Sequence, residues 1–375
     1  MIAIIGTGAL GACIGYYLSR EGADVLLIDA GQPGALTTSA SLAWVNASSK
    51  VGHRAYFELN FAGLREHERL AAECAGPAWW NQTGHLRFDF RDEHEVMTVV
   101  KELRGLGYPA EVWETGRARR VLEPHVVLGP ALPRVALLPS EGWVDGPQLV
   151  EALVDAATES GARKAFGSPV RSITVTDRTV TSIELETGEA HDVDQVVNAA
   201  GPAAPRVAAM VGRHVPMRDR PGLAVRLETS GDWIHRMIHA PGIAIRPDGP
   251  ARAFLLARHA EPELRRTGHV SSEAVEHAVQ LAEHVVPELR DAAVADVRIG
   301  YRPIPLDGLP LIGRAGEISG YYEAIMHSGI TLGPIVARAL TAEILHGQID
   351  PLVSSFRASR LPETSVSTAK YQIGA

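Results

Sequence analysis

Ala3-Ile4-Ile5-Gly6-Thr7-Gly8-Ala9-Leu10-Gly11 opens the chain with a short apolar run that passes directly into a glycine-rich turn. A helical segment follows to about Arg20, a break comes at Gly22, and the apolar run Val25-Leu26-Leu27-Ile28 ends at Asp29. Strand, turn, helix, strand and acid, in that order, make a dinucleotide-binding βαβ unit, with the acid roughly 20 residues past the turn. Gly6 permits the tight turn, Gly8 lets the backbone approach a pyrophosphate, and Gly11 lets helix and strand pack closely. The helix opens at Ala9 and Leu10, whose N–H groups have no partner one turn back and face the phosphates. Asp29 can accept from ribose hydroxyls.

The 375 residues correspond to about two domains. With 46% hydrophobic and 21% charged residues the chain can bury a large core, which excludes a disordered protein. The formal charge is −8, and the densest basic stretch is only Arg117 to Arg120. No stripe is present to neutralise phosphates, so neither a nucleic-acid partner nor an anionic membrane surface is expected. Two cysteines, Cys13 and Cys74, make no disulfide framework and no zinc spacing. Both read as core or near-core thiols of a protein from a reducing, cytoplasmic compartment. Met1 to Leu18 carries no charge, but four glycines interrupt it and Arg20 and Glu21 close it, so it reads as a buried strand running into a helix. The 15 histidines include no HExxH; His235 and His239 lie four apart in a strand-like stretch, on one face of a sheet, and no metal site is expected. No nucleophile elbow supports hydrolase chemistry.

Beyond Asp29 comes the small, hydroxylic stretch Thr37 to Asn46. Helical spacing covers Tyr56 to Cys74, alternation predicts a strand over Gly84 to Phe90, and helices follow over Asp92–Leu106 and Gly146–Ser160. Val170–Val175, Val180–Leu185 and Val193–Val197 read as a three-stranded meander, closed by Asn198-Ala199-Ala200-Gly201-Pro202. Residues 216–258 are β-rich, Ser271–Val286 helical, and Val294–Tyr301 and Tyr321–Met326 strand-like. Pro334–His346 reads as a last helix, and the residues from Pro362 as a polar, frayed end. The fold class is α/β. A nicotinamide dehydrogenase would continue with more βα units; here the chain leaves the sheet and returns twice, which suits a large flavin.

Five stretches together resemble the FAD-dependent D-amino-acid oxidase superfamily, which includes glycine oxidase and monomeric sarcosine oxidase. They are Ile2 to Asp29, Thr38 to Asn46, Glu141 to Gly146, Val196 to Pro202, and a C-terminal pair. That pair is Gly300-Tyr301-Arg302-Pro303 with Asp307 to Gly313, then His327-Ser328-Gly329-Ile330-Thr331-Leu332-Gly333-Pro334. The resemblance implies a discontinuous FAD-binding Rossmann domain of the glutathione-reductase type over residues 1–80, 140–212 and 298–375. An antiparallel-sheet substrate domain would take residues 81–139 and 213–297.

Carried over, Gly6, Gly8, Ala9, Leu10 and Gly11 would hold the pyrophosphate and Asp29 the ribose. Ser39, Ala40 and Ser41 would run beneath the flavin, Val170 would contact the adenine, and Ala200 and Gly201 would let the chain pass the cofactor. Gly329, Ile330, Thr331 and Leu332 would aim N–H groups at the flavin pyrimidine. Arg302 resembles the arginine that pairs with a substrate carboxylate in this family; the alternative is a surface arginine in a loop stiffened by Pro303 and Pro305. Trp44, His53 and His327 are the other expected substrate neighbours, although Trp44 departs from the usual sequence and either shapes the pocket or packs in the core. Lys50 also follows the flavin loop and could reach the flavin.

Relatives that attach flavin covalently do so through a cysteine in the C-terminal half; both cysteines here lie before residue 75, so non-covalent FAD is implied. The implied activity is oxidation of a C–N bond in a small-molecule amino acid or secondary or N-alkyl amine, with oxygen as acceptor. A dehydrogenase serving a quinone or protein acceptor, a nicotinamide-dependent reductase with the same turn, and a flavin-binding subunit without its own turnover remain as alternatives.

Overall fold

The computed structural model describes residues 1–74, 78–127, 132–257 and 260–361. Its first layer is a six-stranded sheet in the order Leu311–Arg314, Tyr321–Ile325, Gln195–Asn198, Ile2–Ile5, Val25–Asp29, Arg163–Phe166. All neighbours run parallel except the edge hairpin of Leu311–Arg314 with Tyr321–Ile325. Three distant pieces of chain therefore build one sheet, as the excursion pattern predicts. Strands such as Ile2–Ile5 are buried at every position, because helices and a meander cover both faces.

Helix Ala9–Arg20 packs between helix Gly146–Glu159 and the C-terminal helix Gly329–His346. The approach to the latter is close: a Cβ on Gly333 would lie 3.0 Å from Cys13 Sγ. Cys13 is fully buried, whereas Cys74, expected near the core, is exposed at the end of helix Arg54–Glu73. That helix turns its apolar stripe inward and ends with polar neighbours, so its last residue meets solvent.

The second layer is an eight-stranded sheet in the order Ala293–Tyr301, Pro221–Glu228, Arg252–Ala257, Ile243–Pro247, Met237–Ala240, His85–Arg87, Arg134–Leu138, Glu111–Glu114. It is antiparallel apart from Met237–Ala240 beside His85–Arg87. Alternation gives it two distinct faces. Leu223, Val225, Ile238, Ile245 and Leu255 pack with helix Ser272–Val285 on one side. Ala224, Met237, Ala244 and Phe254 meet Ala40, Leu42 and Trp143 on the other. The strand Ala293–Tyr301 runs across residue 298, the expected start of the last cofactor-domain segment.

Several elements differ from the sequence reading. The meander is Val170–Thr176, Thr179–Leu185 and Ala190–Asp192. Val193–Val197 is not its third strand: Gln195–Asn198 instead enters the parallel sheet between Ile2–Ile5 and Tyr321–Ile325. Its apolar run is explained by that two-sided burial, while the true third strand is short, polar and at an edge. The strand expected over Gly84–Phe90 shortens to His85–Arg87, and the last helix begins at Gly329 with Pro334 inside it. Pro334, the sixth residue of this helix, has no N–H to give the Ile330 carbonyl one turn back, and His67 Nε2–H supplies that bond instead. The end from Pro362 lies outside the described residues.

Candidate active site

One cavity collects most of the expected cofactor residues. At one end, Gly6 adopts φ 96°, and a Cβ there would lie 2.6 Å from Ala199 O and Ala200 Cα. Gly11 is blocked in the same way by the carbonyl of Gly6. Gly8 is different: a Cβ would meet only Thr38 Oγ1 at 3.2 Å, so its outward side is open. Asp29 closes the turn by accepting from Thr7 N–H at 2.8 Å and Gly31 N–H at 2.9 Å. Thr38 Oγ1 accepts from Ala9 N–H at 3.1 Å. Gly6, Gly8, Ala9, Leu10 and Asp29 line the cavity, and Ser41, Ala200 and Gly201 form its sides.

His327, Gly329 and Ile330 line the other end, where the C-terminal helix begins. This start is held from several directions. The buried His67 Nε2–H donates to Ile330 O at 2.8 Å, and burial lowers its pKa to about 4, keeping it neutral. Thr331 Oγ1 donates to Trp44 O at 3.0 Å, and Gly63 lies directly against the Thr331 carbonyl. Thr331 and Leu332 are thus buried behind the first turn and do not line the cavity. The starts of two helices, 320 residues apart in sequence, face one space.

Other expected residues lie elsewhere. Ser39 is buried, its hydroxyl donating to Ala35 O and Leu36 O; Ala40 packs under Gly300. Val170 belongs to the core below Ile5 and Ile28. His53 is exposed and caps helix Arg54–Glu73, its Nδ1 accepting from Tyr56 N–H at 3.2 Å.

The second face of the large sheet overlies the loop around Ser41. Arginines from three of its strands grip that loop: Arg246 Nε–H donates to Leu42 O at 3.0 Å, Arg226 to Ser39 O at 2.7 Å, and Arg298 to Ser39 Oγ at 2.8 Å. Asp248 is shared by Arg226 and Arg246, and Asp296 by Arg226 and Arg298, so these cations are engaged in holding the loop. Arg302 leaves the same sheet where it meets the cavity, next to the lining residue Pro303. Its guanidinium lies against Gly222, where a Cβ would be 2.6 Å from Nη2, and Glu261 is 3.7 Å away.

Beside the loop lies a buried polar chain. Glu141 accepts from Trp44 Nε1–H at 2.8 Å and Tyr108 O–H at 2.7 Å, and its Oε2 is 2.7 Å from His85 Nδ1. His85 Nε2 in turn lies 2.8 Å from His239 Nδ1. The Trp44 ring packs against both imidazoles, with centroids 4.8 and 4.5 Å away. Burial raises the Glu141 carboxyl to about 7, against the pull of its donors, and pushes His85 well down. His235, expected on one sheet face with His239, instead precedes the strand and sits by Glu123. His85 and Tyr108 carry no signal in the sequence, being lone polar residues far apart. Glu141 falls inside a resembling stretch without a role attached to it.

The open side of Gly8, the acid beyond it and the converging helix starts suit a dinucleotide whose second ring system reaches His327. Gly8, Ala9 and Leu10 would hold its pyrophosphate, Asp29 its ribose, and Gly329 and Ile330 its far end. Fold and site define a dinucleotide-binding protein whose cradle lies under the eight-stranded sheet.

The profile described as FAD dependent oxidoreductase matches residues 1–343, and the chain belongs to that family. FAD is its cofactor. The chain is 26% identical over 350 residues to glycine oxidase of Geobacillus kaustophilus, covering 89% of this chain and 90% of that one. It is 25% identical over 372 residues to one of the opine oxidase subunits of Agrobacterium tumefaciens, covering 95% and 96%. The crystal structure of the Geobacillus glycine oxidase superposes with a TM-score of 0.84 at 24% identity, over 96% of this chain and 98% of that one. Among the described residues, no helix is long and apolar enough to cross a membrane.

Proposed function

We propose that the protein oxidises a C–N bond of an amino acid or a secondary or N-alkyl amine. What supports this is Arg302, whose neighbour Pro303 lines the cofactor cavity and whose charge is felt by the lining residue His327. Its planar fork matches a carboxylate and would fix the substrate with Cα toward the cavity. Bound FAD supplies the two-electron acceptor for the Cα hydride. The N–H groups at Gly329 and Ile330 favour negative charge at that end of the cavity. His327 is held neutral, its pKa lowered to about 3 by burial first and then by the charges of Lys50 and Arg302, so it adds no charge of its own. Ala224, Phe254 and Leu256 pack the underside of the large sheet onto Ala40 and Leu42 beside the cavity.

The amine must lose its proton before the hydride leaves, so activity rises with pH. The imine product is hydrolysed by water, and oxygen accepts the electron pair to give hydrogen peroxide. We place the protein in the cytoplasm, working on a small molecule without nucleic acid or membrane. Anaerobic mixing with a panel of amino acids and N-methyl amines tests the reading: bleaching of the flavin band supports it, and an unchanged spectrum across the panel rejects it.

A second reading is favoured by one comparison, since the Agrobacterium relative is named as a subunit. In that case the chain works within a larger assembly or passes electrons to another acceptor. Stopped-flow mixing of the reduced, isolated chain with oxygen separates the two: fast reoxidation supports the oxidase, while reoxidation slower than turnover with an artificial acceptor supports the subunit.

A further inference from the structure

We propose that the Ser41 hydroxyl donates a hydrogen bond to the flavin ring and makes the bound flavin easier to reduce. This rests on FAD alone and holds whatever the substrate.

The hydroxyls of the loop beside the cavity fall into two kinds. Thr37 Oγ1–H donates to Tyr301 O at 2.9 Å, and the Ser39 hydroxyl donates to Ala35 O and Leu36 O. Those two hydrogens are spent on backbone carbonyls. Thr38 and Ser41 are used the opposite way. Thr38 Oγ1 accepts from Ala9 N–H at 3.1 Å, and Ser41 Oγ accepts from Ala43 N–H at 2.9 Å. A hydroxyl that accepts an N–H keeps its own hydrogen for another partner. Among the described residues no acceptor meets either hydrogen, and both residues line the cofactor cavity.

Position separates the pair. Thr38 is tied to Ala9 at the glycine turn, the pyrophosphate end of the cavity. Ser41 lies between that point and Trp44, whose carbonyl receives the Thr331 hydroxyl behind Ile330, at the His327 end. Thr38 therefore serves the pyrophosphate, and Ser41 the ring system beyond it. A strained neighbour holds Ser41 in this role. Ala43 is buried and adopts φ 54°, the left-handed region that a side chain disfavours. Its N–H is pinned to Ser41, and its carbonyl accepts from Val144 N–H at 3.0 Å. Accepting that N–H polarises the Ser41 O–H and strengthens it as a donor. Reduction places negative charge on the acceptor atoms of the ring, and a donor already fixed in place stabilises that charge.

The test uses holoprotein without substrate, reading the visible flavin band and the midpoint potential by dye equilibration. Ser41→Ala is expected to keep its FAD, to shift the band and to lower the potential by about 15–30 mV, equivalent to a roughly 3–10-fold weaker preference for the reduced form. This variant also removes the acceptor of Ala43 N–H. The same shifts are therefore expected in Ser41→Ala combined with Ala43→Gly, where glycine keeps φ 54° without strain. A band and potential restored in the double variant assign the effect to loop shape and overturn the proposal. Outright loss of FAD from both variants makes Ser41 a structural residue and overturns it as well. Ser41 also borders the larger cavity beneath the eight-stranded sheet. A hydroxyl turned that way, or toward the pyrophosphate, leaves band and potential unmoved in Ser41→Ala, and that result too overturns the proposal.

Discussion

The indole N–H of Trp44 donates to the carboxyl of Glu141 at 2.8 Å, and this bond ties the strand Trp44–Val45 to the acid of a buried polar chain. Trp44 also receives the Thr331 hydroxyl on its carbonyl, so a single residue joins the chain to the helix that closes the cavity. The sequence leaves two roles open for this tryptophan. The fold makes it half-buried, with its position set by Glu141, His85 and His239.

Glu141 makes stability depend on pH. Its folded-state pKa is raised from 4.5 to about 7, so between those values the folded state holds a proton that the unfolded chain has released. Stability therefore falls as pH rises through this window, by up to about 3 kcal/mol, and the loss is complete above the folded value. Glu141→Gln removes the titration but turns an amide N–H toward Trp44 or Tyr108, both donors, at a cost of about 1–3 kcal/mol. Thermal unfolding from about pH 5 to pH 8 is expected to slope downward for the wild type relative to the variant. Parallel curves would show that Glu141 does not titrate there.

Gly8 and Gly11 separate cofactor binding from folding. A side chain at Gly8 meets only the Thr38 hydroxyl, so Gly8→Val is expected to fold and to lose FAD by filling the cradle. At Gly11 the Gly6 carbonyl occupies the space, so Gly11→Val fails to fold. Flavin absorbance and thermal unfolding of the two variants check this. A yellow Gly8→Val protein would contradict it.

FAD is expected to be held without a covalent bond, since neither cysteine reaches the cavity. Acid precipitation will leave the yellow colour in the supernatant. Colour in the pellet would reveal a covalent link.

Arg302→Ala is expected to cost about 2–5 kcal/mol in kcat/KM for a carboxylate substrate, the usual result of truncating one partner of a desolvated charge pair. FAD content stays at the wild-type level. Equal kcat/KM in both proteins would make Arg302 structural.

The two thiols differ in access. Burial pushes the Cys13 thiol far up, and Gly333 packs on its sulfur, while Cys74 is exposed. One thiol is expected to react with a disulfide reagent in the folded protein and two after unfolding.

The βαβ unit is legible because its signals are local: Gly6, Gly8, Gly11 and Asp29 act within thirty residues of one another. The meander reads one strand too far because Val193–Val197 and Ala190–Asp192 differ in burial, which depends on neighbours from residues 2–5 and 321–325. The Glu141 chain is not legible at all. His85, Tyr108, Glu141 and His239 are joined by tertiary packing, and each alone resembles an ordinary surface residue in sequence. Ser39 reads as a cofactor neighbour from its place in the loop, but three local and long-range hydrogen bonds turn its hydroxyl inward.

The order of the parallel sheet also sets a schedule. Ile2–Ile5 gains one neighbour at once, but Gln195–Asn198 arrives much later, and Cys13 waits some 320 residues for Gly333. At ribosomal rates of about 5–20 residues per second that interval is roughly 15–60 s. During it the first helix presents an uncovered apolar flank. The helix Ala9–Arg20 is thus enclosed only after helix Gly329–His346 has been made, although it precedes that helix by most of the described chain.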